Sequence, residues 1–278
     1  MILRRVMTRA FIAAPLLLIP GCDSATGPGG PGRGAANWQR VTLDERVTDA
    51  YTGFGFELFR DLRSAKPHAN VFASPTSAAV ALAMTYNGAV GQTADEMAEA
   101  LGVAHVDRDT LNETNRKWLE ALSDAGDPHA ELALANSVWH KQSRPVLDSF
   151  REVIGEYYDA VIEPITTADA INAWVDEHTR GRIDEIITEV PGNVVAYLIN
   201  ALYFKADWTY PFDPDDTRTA PFHRPDGTTV DVPMMSQQAD LETRSDADMT
   251  MLRLPYGAER FSIDPRIAPR RLEPGRHR

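Results

Sequence analysis

Hydrophobic and polar positions follow a helical period in the first half of the chain. Apolar residues spaced three and four apart predict an amphipathic helix over 51–63. The segment 76–86 is apolar at nearly every position, so it predicts a helix that is buried on most sides. Ser74 is placed to cap this helix, and Pro75 fits its first turn, where a missing N–H is harmless.

Four further segments carry the helical pattern. Thr93 and Glu96 have the spacing of a capping box, and the helix that they open is expected to end at Gly102. The other predicted helices cover 110–123, 147–158 and 168–187.

The second half of the chain is dominated by strand patterns. In the segment 131–140 apolar and polar residues alternate, which predicts a half-buried strand. In 194–204 both the odd and the even positions are apolar, which predicts a strand buried on both faces. Asn200 lies in the middle of it, and a buried amide without a partner costs about 1–3 kcal/mol. Short strands are predicted at 228–235, at 249–254 and from 259 onward. Helices followed by strands predict an α+β domain.

Charge and missing motifs narrow the function. The 278 residues carry a net charge of −12, which repels phosphate backbones and argues against a nucleic-acid partner. No phosphate-binding loop, dinucleotide fingerprint, H-E-x-x-H pair or G-x-S-x-G elbow is present, and the single cysteine rules out an internal disulfide. His178 falls on an apolar helix face and is expected to be a hydrogen-bonded interfacial histidine rather than a ligand. We therefore predict no enzyme activity, no cofactor and no metal.

The amino terminus has the features of an export signal. Three arginines precede the apolar run 10–19, which is too short to cross a bilayer of about 30 Å. The run ends in Ile-Pro-Gly-Cys, which resembles the bacterial lipoprotein box, so we predict a signal peptide over 1–21 and a lipid anchor on Cys22. Ordinary secretion, with Cys22 lost or idle, is the alternative. The Gly/Pro-rich stretch 22–36 predicts a flexible tether.

The predicted location follows from this anchor. A lipidated Cys22 would place the protein in a bacterial cell envelope, attached to the membrane through its N-terminal lipid and facing the periplasm or the extracellular space. The cationic residues are mostly arginine, which suits a GC-rich bacterial genome.

Several distinctive short motifs lie between about residue 51 and residue 261. In the helical part they are 70–75 (NVFASP), 83–89 (AMTYNGA), 91–94 (GQTA) and the pattern Asn172-x-Trp-Val with Thr179-x-Gly-x-Ile. In the strand part they are 198–205 (LINALYFK), Trp208, 211–212 (PF), Thr217, Phe222, 232–235 (VPMM) and 254–256 (LPY). In both order and spacing these motifs resemble the serpin family.

The resemblance implies a fold, a mechanism and a partner. Serpins offer an exposed loop to a serine or cysteine protease, and the cleaved loop inserts into a large sheet and distorts the acylated protease. By this resemblance Ser74, Ser77 and Asn200 match the shutter, the group of residues that holds the sheet closed. The alternative interpretation of Ser74 is that it is only a helix cap. Lys205 and Trp208 match the breach, the region where insertion of the loop starts. The alternative interpretation of Trp208 is that it is only a core residue.

The last sixteen residues depart from the family. Residues 263–278 contain five arginines and three prolines, a composition expected not to form the strands that a serpin carries there. We predict an incomplete, C-terminally truncated serpin domain over 37–262, with a helical part packed on a large mixed sheet, followed by an aberrant tail over 263–278. The reactive loop and the C-terminal strands are expected to be absent, which would leave the chain inactive as an inhibitor. The alternative is a non-inhibitory binding module on the bacterial surface.

Overall fold

A computed structural model describes residues 41–123, 126–224 and 226–267. The predicted signal peptide, the lipid-anchor Cys22 and the tether lie outside these residues. The chain divides into two compact units, the first formed by residues 41–126 and 131–204 and the second by residues 127–130 and 205–267. No helix within the described residues is long and apolar enough to cross a membrane.

The helices of the first unit follow the predicted pattern closely. Ser74 caps the second helix by accepting a hydrogen bond from the backbone N–H of Ser77 at 3.2 Å, and Pro75 occupies its first turn, as predicted. This helix is buried on most sides. The helices are α1 (Glu45–Ala65), α2 (Pro75–Gly88), α3 (Gly91–Leu101), α4 (Arg108–Ser123), α5 (Asp148–Tyr158) and α6 (Ala168–His178).

Three predicted helix boundaries are wrong. Helix α1 begins at Glu45, six residues before the predicted residue 51. Helix α3 begins at Gly91 rather than at Thr93, and the predicted capping box is replaced by a side-chain hydrogen bond from Gln92 to Glu96 at 2.8 Å. Helix α6 ends nine residues before the predicted residue 187, because Gly181 has a φ of +70° and turns the chain away. Gly102 does end α3, with a left-handed φ of +73°.

The main sheet of the first unit has three strands among the described residues. They are β1 (Ala130–His140), β2 (Ala160–Pro164) and β3 (Ala196–Ala206), in the order β2-β1-β3. Strands β1 and β2 are parallel. Backbone hydrogen bonds from Lys141 to Val195 and from Asp207 to His129 show that β3 runs antiparallel to β1. The sheet is therefore mixed, as predicted, although β2 was not predicted from the sequence.

Strand β3 is less buried than its apolar pattern predicts. Only Ala201 is fully buried, and most of the other residues of β3 are half-buried. The prediction of burial on both faces is wrong for the described residues, because β3 lies at the edge of their three-stranded sheet and has a neighbour on one side only.

A polar network, here called the Tyr–Asn network, crosses the apolar core of the first unit. Asn115 of α4 donates to the hydroxyl oxygens of Tyr51 (α1, 2.9 Å) and Tyr158 (α5, 3.2 Å). The Tyr158 hydroxyl donates to Asn112 at 2.7 Å, and Asn112 exchanges two hydrogen bonds with Asn87 of α2. The network thereby joins four helices inside the core.

The second unit consists of short strands. A hairpin of β4 (Arg218–His223) and β5 (Thr229–Met234) is followed by β6 (Thr243–Ser245), β7 (Thr250–Leu252), β8 (Leu254–Tyr256), β9 (Phe261–Ile263) and β10 (Arg266–Ile267). Strand β4 pairs with β5 and β8 with β9, and β7 lies between β10 and β6.

The prediction that no strand forms after residue 262 is wrong for 263–267. Ile263 ends β9, and Arg266–Ile267 pairs with β7. The reason is an ion pair: Arg253 donates two hydrogen bonds to the Asp264 carboxylate, both at 3.0 Å, and this guanidinium holds the pKa of Asp264 below its usual range. Pro265 lacks an N–H, but its carbonyl accepts from Leu252 at 3.2 Å, so the ladder continues past it.

Candidate functional site

Ser74 and Ser77 form a buried hydroxyl pair at the start of α2. Their Oγ atoms are 2.8 Å apart, with Ser74 donating to Ser77, and both residues are almost fully shielded from solvent. The same Ser74 oxygen caps the helix, so one side chain serves both the cap and the pair. This arrangement fixes where α2 begins.

Asn200 belongs to a second polar chain, which joins strands to a helix. Its Nδ2 donates to Asn136 Oδ1 of β1 at 2.7 Å, and Asn136 Nδ2 donates to the backbone carbonyl of Tyr158 at 2.8 Å. Asn200 Oδ1 is buried and has no hydrogen-bond donor among the described residues. An unsatisfied buried acceptor of this kind marks the place where a further donor is needed.

The two groups remain separate within the described part of the chain. Hydrogen bonds join Ser74 to Ser77 and Asn200 to Asn136, and none joins one pair to the other. Asn136 was missed from the sequence. The available signal was its position in β1, where a buried Asn follows the alternating apolar residues Leu132 and Leu134.

Trp208 and Lys205 lie in the second unit and differ in their surroundings. The Trp208 ring stacks on Tyr256, with centroids 4.3 Å apart, and meets the edge of Phe212 at 5.6 Å. Partial burial raises the pKa of the Tyr256 phenol. Lys205 is exposed. Trp208 is therefore held rigidly by aromatic neighbours, while the Lys205 ammonium is presented to solvent.

A tight turn next to this aromatic stack depends on a glycine. Gly257 has a φ of +50°, and the Asp127 carboxylate accepts hydrogen bonds from the N–H groups of Ala258 (2.7 Å) and His129 (2.9 Å). A Cβ atom on Gly257 would lie 2.5 Å from an Asp127 oxygen. The turn has no space for a side chain at this position.

Gly257→Ala is expected to lower the free energy of unfolding by about 2 kcal/mol, since alanine is strained at positive φ and its methyl group collides with Asp127. Urea denaturation measures the loss. Gly192→Ala is the matched control, because no atom lies within 4 Å of its Cβ position and its backbone is not left-handed. Equal effects of the two substitutions would contradict the prediction.

Two polar side chains fasten the segment after α6 back onto that helix. Asn172 accepts from the N–H groups of Ile186 and Ile187 at 3.0 and 3.2 Å, and donates to the Ile187 carbonyl at 2.7 Å. The Thr179 hydroxyl donates to Val175 and accepts from Ile183. The motif that contains these residues was noticed in the sequence, but their role as backbone clamps was not.

His178 is hydrogen-bonded and packed, as predicted. Its ring stacks on Trp174 with centroids 4.1 Å apart, and Nδ1 lies 2.7 Å from the Trp174 carbonyl. In the part of the chain that the structure describes, no group of three or more His, Cys, Asp or Glu side chains is placed to hold a metal ion.

Comparison with known proteins identifies the class to which this fold and these motifs belong. The chain matches the family "Serpin (serine protease inhibitor)" over residues 49–264. An uncharacterized serpin-like protein of Thermococcus kodakarensis is 34% identical over 227 residues, covering 79% of this chain and 52% of the relative. Human corticosteroid-binding globulin is 29% identical, covering 73% and 52%.

Solved structures agree with this assignment. The native state of the thermophilic serpin tengpin superposes with a TM-score of 0.75 at 27% identity, covering 85% of this chain and 61% of tengpin. Reactive-loop-cleaved human thyroxine-binding globulin gives 0.75 at 25% identity, covering 81% and 69%. The chain belongs to the serpin family and has the α+β serpin fold. It spans about half the length of the curated relatives that it matches.

Proposed function

We propose that the protein is a serpin-type inhibitor scaffold for a serine or cysteine protease, and that β3 is the strand beside which a cleaved reactive loop inserts. The observation that carries this proposal is that, among residues 41–123, 126–224 and 226–267, β3 has one unpaired edge and the buried Oδ1 of Asn200 has no hydrogen-bond donor. A strand arriving at that edge would pair with the backbone of β3, and a polar side chain on the Asn200 face of that strand would supply the donor that Oδ1 lacks. Inhibitory members of the serpin family work through such an insertion, and the chain matches that family over residues 49–264.

In this proposal the residues divide into three roles. Ser74 and Ser77 fix the start of α2, and Asn200 ties β3 to β1 through Asn136; these are the shutter residues that hold the sheet closed. Trp208 and Lys205 lie where insertion begins. None of these side chains performs chemistry, because the acylation step belongs to the protease. In this proposal the chain supplies the scaffold of an inhibitor and does no chemistry of its own.

The reactive loop belongs to the part of a serpin that follows the region matched here, which ends at Asp264. We therefore expect the 278-residue chain alone to form no detergent-stable complex with trypsin-like, chymotrypsin-like or papain-like proteases. A chimera that continues residues 1–264 with the C-terminal part of the Thermococcus relative is expected to form one with a protease that the relative itself traps.

Two controls make this test decisive. A protease whose nucleophile is chemically blocked is expected to give no complex with the chimera, since no acyl-enzyme forms. A chimera that melts cooperatively yet is cleaved as an ordinary substrate by every protease trapped by the relative would contradict the proposal. Complex formation by the 278-residue chain alone would contradict the assignment of the loop to the part of a serpin that follows the matched region.

A non-inhibitory binding module is the second candidate. Corticosteroid-binding globulin, a relative named for a ligand, shows that the family includes binding proteins. Here the net charge of −12 favours a basic ligand or protein as the bound species. This candidate predicts saturable binding that weakens as salt is added, since exposed charges are screened over about 10 Å at 0.1 M.

We further propose that Cys22 carries a lipid that anchors the protein to the bacterial envelope. Cys22→Ser is expected to abolish incorporation of a labelled fatty acid and to move the exported protein from the membrane to the soluble fraction. Ser24→Ala, two residues away, is the control and is expected to change neither. Retained labelling of the Cys22→Ser variant would contradict the anchor.

A further inference from the structure

The last two residues of α2 form a sequence pair that is prone to deamidation. Asn87 is the one asparagine of the 278-residue sequence that is followed by glycine. In an Asn-Gly pair the glycine nitrogen attacks the asparagine side chain readily, because glycine has no Cβ atom to hinder the approach and its backbone is unusually free. The reactive pair therefore lies at the helix end that takes part in the Tyr–Asn network.

In the folded chain the Asn87 side chain is held away from this reaction. Its Nδ2 donates to the Ala83 carbonyl at 2.9 Å and to Asn112 Oδ1 at 2.8 Å, and its Oδ1 accepts from Asn112 Nδ2 at 2.9 Å. Asn87 and Gly88 both lie within α2, and the fixed helical backbone angles keep the Gly88 nitrogen away from the Asn87 side-chain carbon. The reaction therefore requires the end of α2 to open.

An arginine of α4 holds that end of α2 closed. Arg108 donates from Nη2 to the Ala89 carbonyl at 2.8 Å and, over a longer distance of 3.5 Å, from Nη1 to the Asn87 carbonyl. Its guanidinium also lies 4.4 Å from the centroid of the Tyr86 ring. A cation at a helix C-terminus and over an aromatic ring stabilises that helix end. Loss of Arg108 is therefore expected to loosen the Asn-Gly pair without changing its sequence.

Packing fixes both residues of the pair. A Cβ atom on Gly88 would lie 3.1 Å from the Phe150 ring of α5, which leaves little room for a side chain at this position. Asn87 serves Asn112 both as a donor and as an acceptor, a combination that a carboxylate does not offer. The same contacts that shape the helix end thus retain a reactive dipeptide there.

We propose that Asn87–Gly88 is a modification site that deamidates when the end of α2 opens, and that the product prevents the Tyr–Asn network from forming again. The Gly88 backbone nitrogen bonds to Asn87 Cγ, the Cγ–Nδ2 bond breaks, and the side-chain nitrogen leaves as ammonia, with the proton that the Gly88 amide gives up. One water molecule then opens the cyclic imide. The product is aspartate, or isoaspartate, in which the main chain runs through the side-chain carbon.

Either product disrupts the network. Aspartate has no donor for the Ala83 carbonyl or for Asn112 Oδ1, and it places a carboxylate oxygen against both of these acceptors. Isoaspartate adds a methylene group to the main chain and so shifts Gly88 relative to the Phe150 ring. Opening of the helices that the network joins therefore becomes irreversible once residue 87 has reacted. This inference does not depend on the proposed inhibition.

The experiment follows the full 278-residue chain at mildly alkaline pH, both folded and unfolded in urea, and measures deamidation at residue 87 by mass-spectrometric peptide mapping. The folded chain is expected to react at least about 100-fold more slowly, because only opened molecules react. Samples are also diluted from urea at intervals. The fraction that regains the parent melting transition is expected to fall with the half-time of the modification. Chain held in urea at mildly acidic pH, where imide formation is slow, is expected to refold to the same yield at every interval.

Arg108→Gln is expected to speed deamidation of the folded chain by about 5- to 20-fold and to leave the rate in urea unchanged. Arg60→Gln, at an exposed arginine of α1, is the matched control and is expected to change neither rate. Asn87→Asp supplies one product directly and is expected to melt about 5–10 °C below the parent, which tests the consequence even if Arg108→Gln fails to fold.

Three outcomes would each overturn the proposal. The first is an equal rate of deamidation at residue 87 in the folded and the unfolded chain. The second is a deamidated chain, or an Asn87→Asp variant, that melts at the parent temperature. The third is a folded Arg108→Gln variant that deamidates at the parent rate.

Discussion

Asn115→Ala is expected to lower the free energy of unfolding by about 3–4 kcal/mol. Asn115 is fully buried and donates to the hydroxyl oxygens of Tyr51 and Tyr158. Its removal leaves two buried hydroxyls short of a partner, at about 1–3 kcal/mol each, and also leaves a small cavity. Urea denaturation followed by tryptophan fluorescence measures the loss.

The control for this variant is Asn193→Ala, an exposed substitution that is expected to change stability by less than about 0.5 kcal/mol. Tyr51→Phe gives an internal test, because this variant already lacks one of the two hydroxyls that Asn115→Ala leaves without a donor. The cost of Asn115→Ala is therefore expected to be smaller in the Tyr51→Phe background. Strict additivity of the two substitutions would contradict the network.

Alkaline pH is expected to unfold the first unit through the same two tyrosines. Burial raises the pKa of both the Tyr51 and the Tyr158 phenol well above the ordinary value of about 10. The unfolded chain therefore loses these protons first, so the stabilisation is complete below pH ~10 and declines as the pH rises beyond it. The slope that each tyrosine contributes grows with the ionised fraction of the unfolded phenol, from about 0.7 kcal/mol per pH unit at pH 10 toward a limit of about 1.4 above pH 11.

Phenylalanine substitutions separate these two groups from the remaining tyrosines, of which Tyr197 and Tyr256 also have raised pKa values. Tyr51→Phe and Tyr158→Phe are each expected to reduce the slope of unfolding free energy against pH, between pH 10 and 11, by about 1 kcal/mol per unit. An unchanged slope in both variants would show that these phenols do not control alkaline unfolding.

The helical part of the fold was predictable because its signals are local. The Ser74 cap, the Pro75 first turn and the Gly102 stop each follow from a few neighbouring residues, and the structure has all three. Helix α6 was overextended because the left-handed turn at Gly181 and the clamp by Asn172 depend on how the chain folds back, which helical periodicity does not encode.

The candidate site was predictable only in part, because its polar partners come from distant segments. The sequence indicated that Asn200 needs a partner, but Asn136 stands 64 residues earlier. The residues after position 262 were misjudged for a related reason. Their composition argues against strands, whereas the long-range pair of Arg253 with Asp264 holds them beside β7.

The spacing between Asn136 and Asn200 also has a consequence during protein synthesis. Strand β1 leaves the ribosome 64 residues before the middle of β3, so at about 5–20 residues per second it waits roughly 3–13 s for that neighbour. The Tyr–Asn network of the helices spans similar separations, 64 residues from Tyr51 to Asn115 and 46 from Asn112 to Tyr158, but all its members have been synthesised once residue 158 is added, well before Asn200. The nascent chain therefore holds a half-made sheet on a finished helical layer, which is a state that holding chaperones recognise.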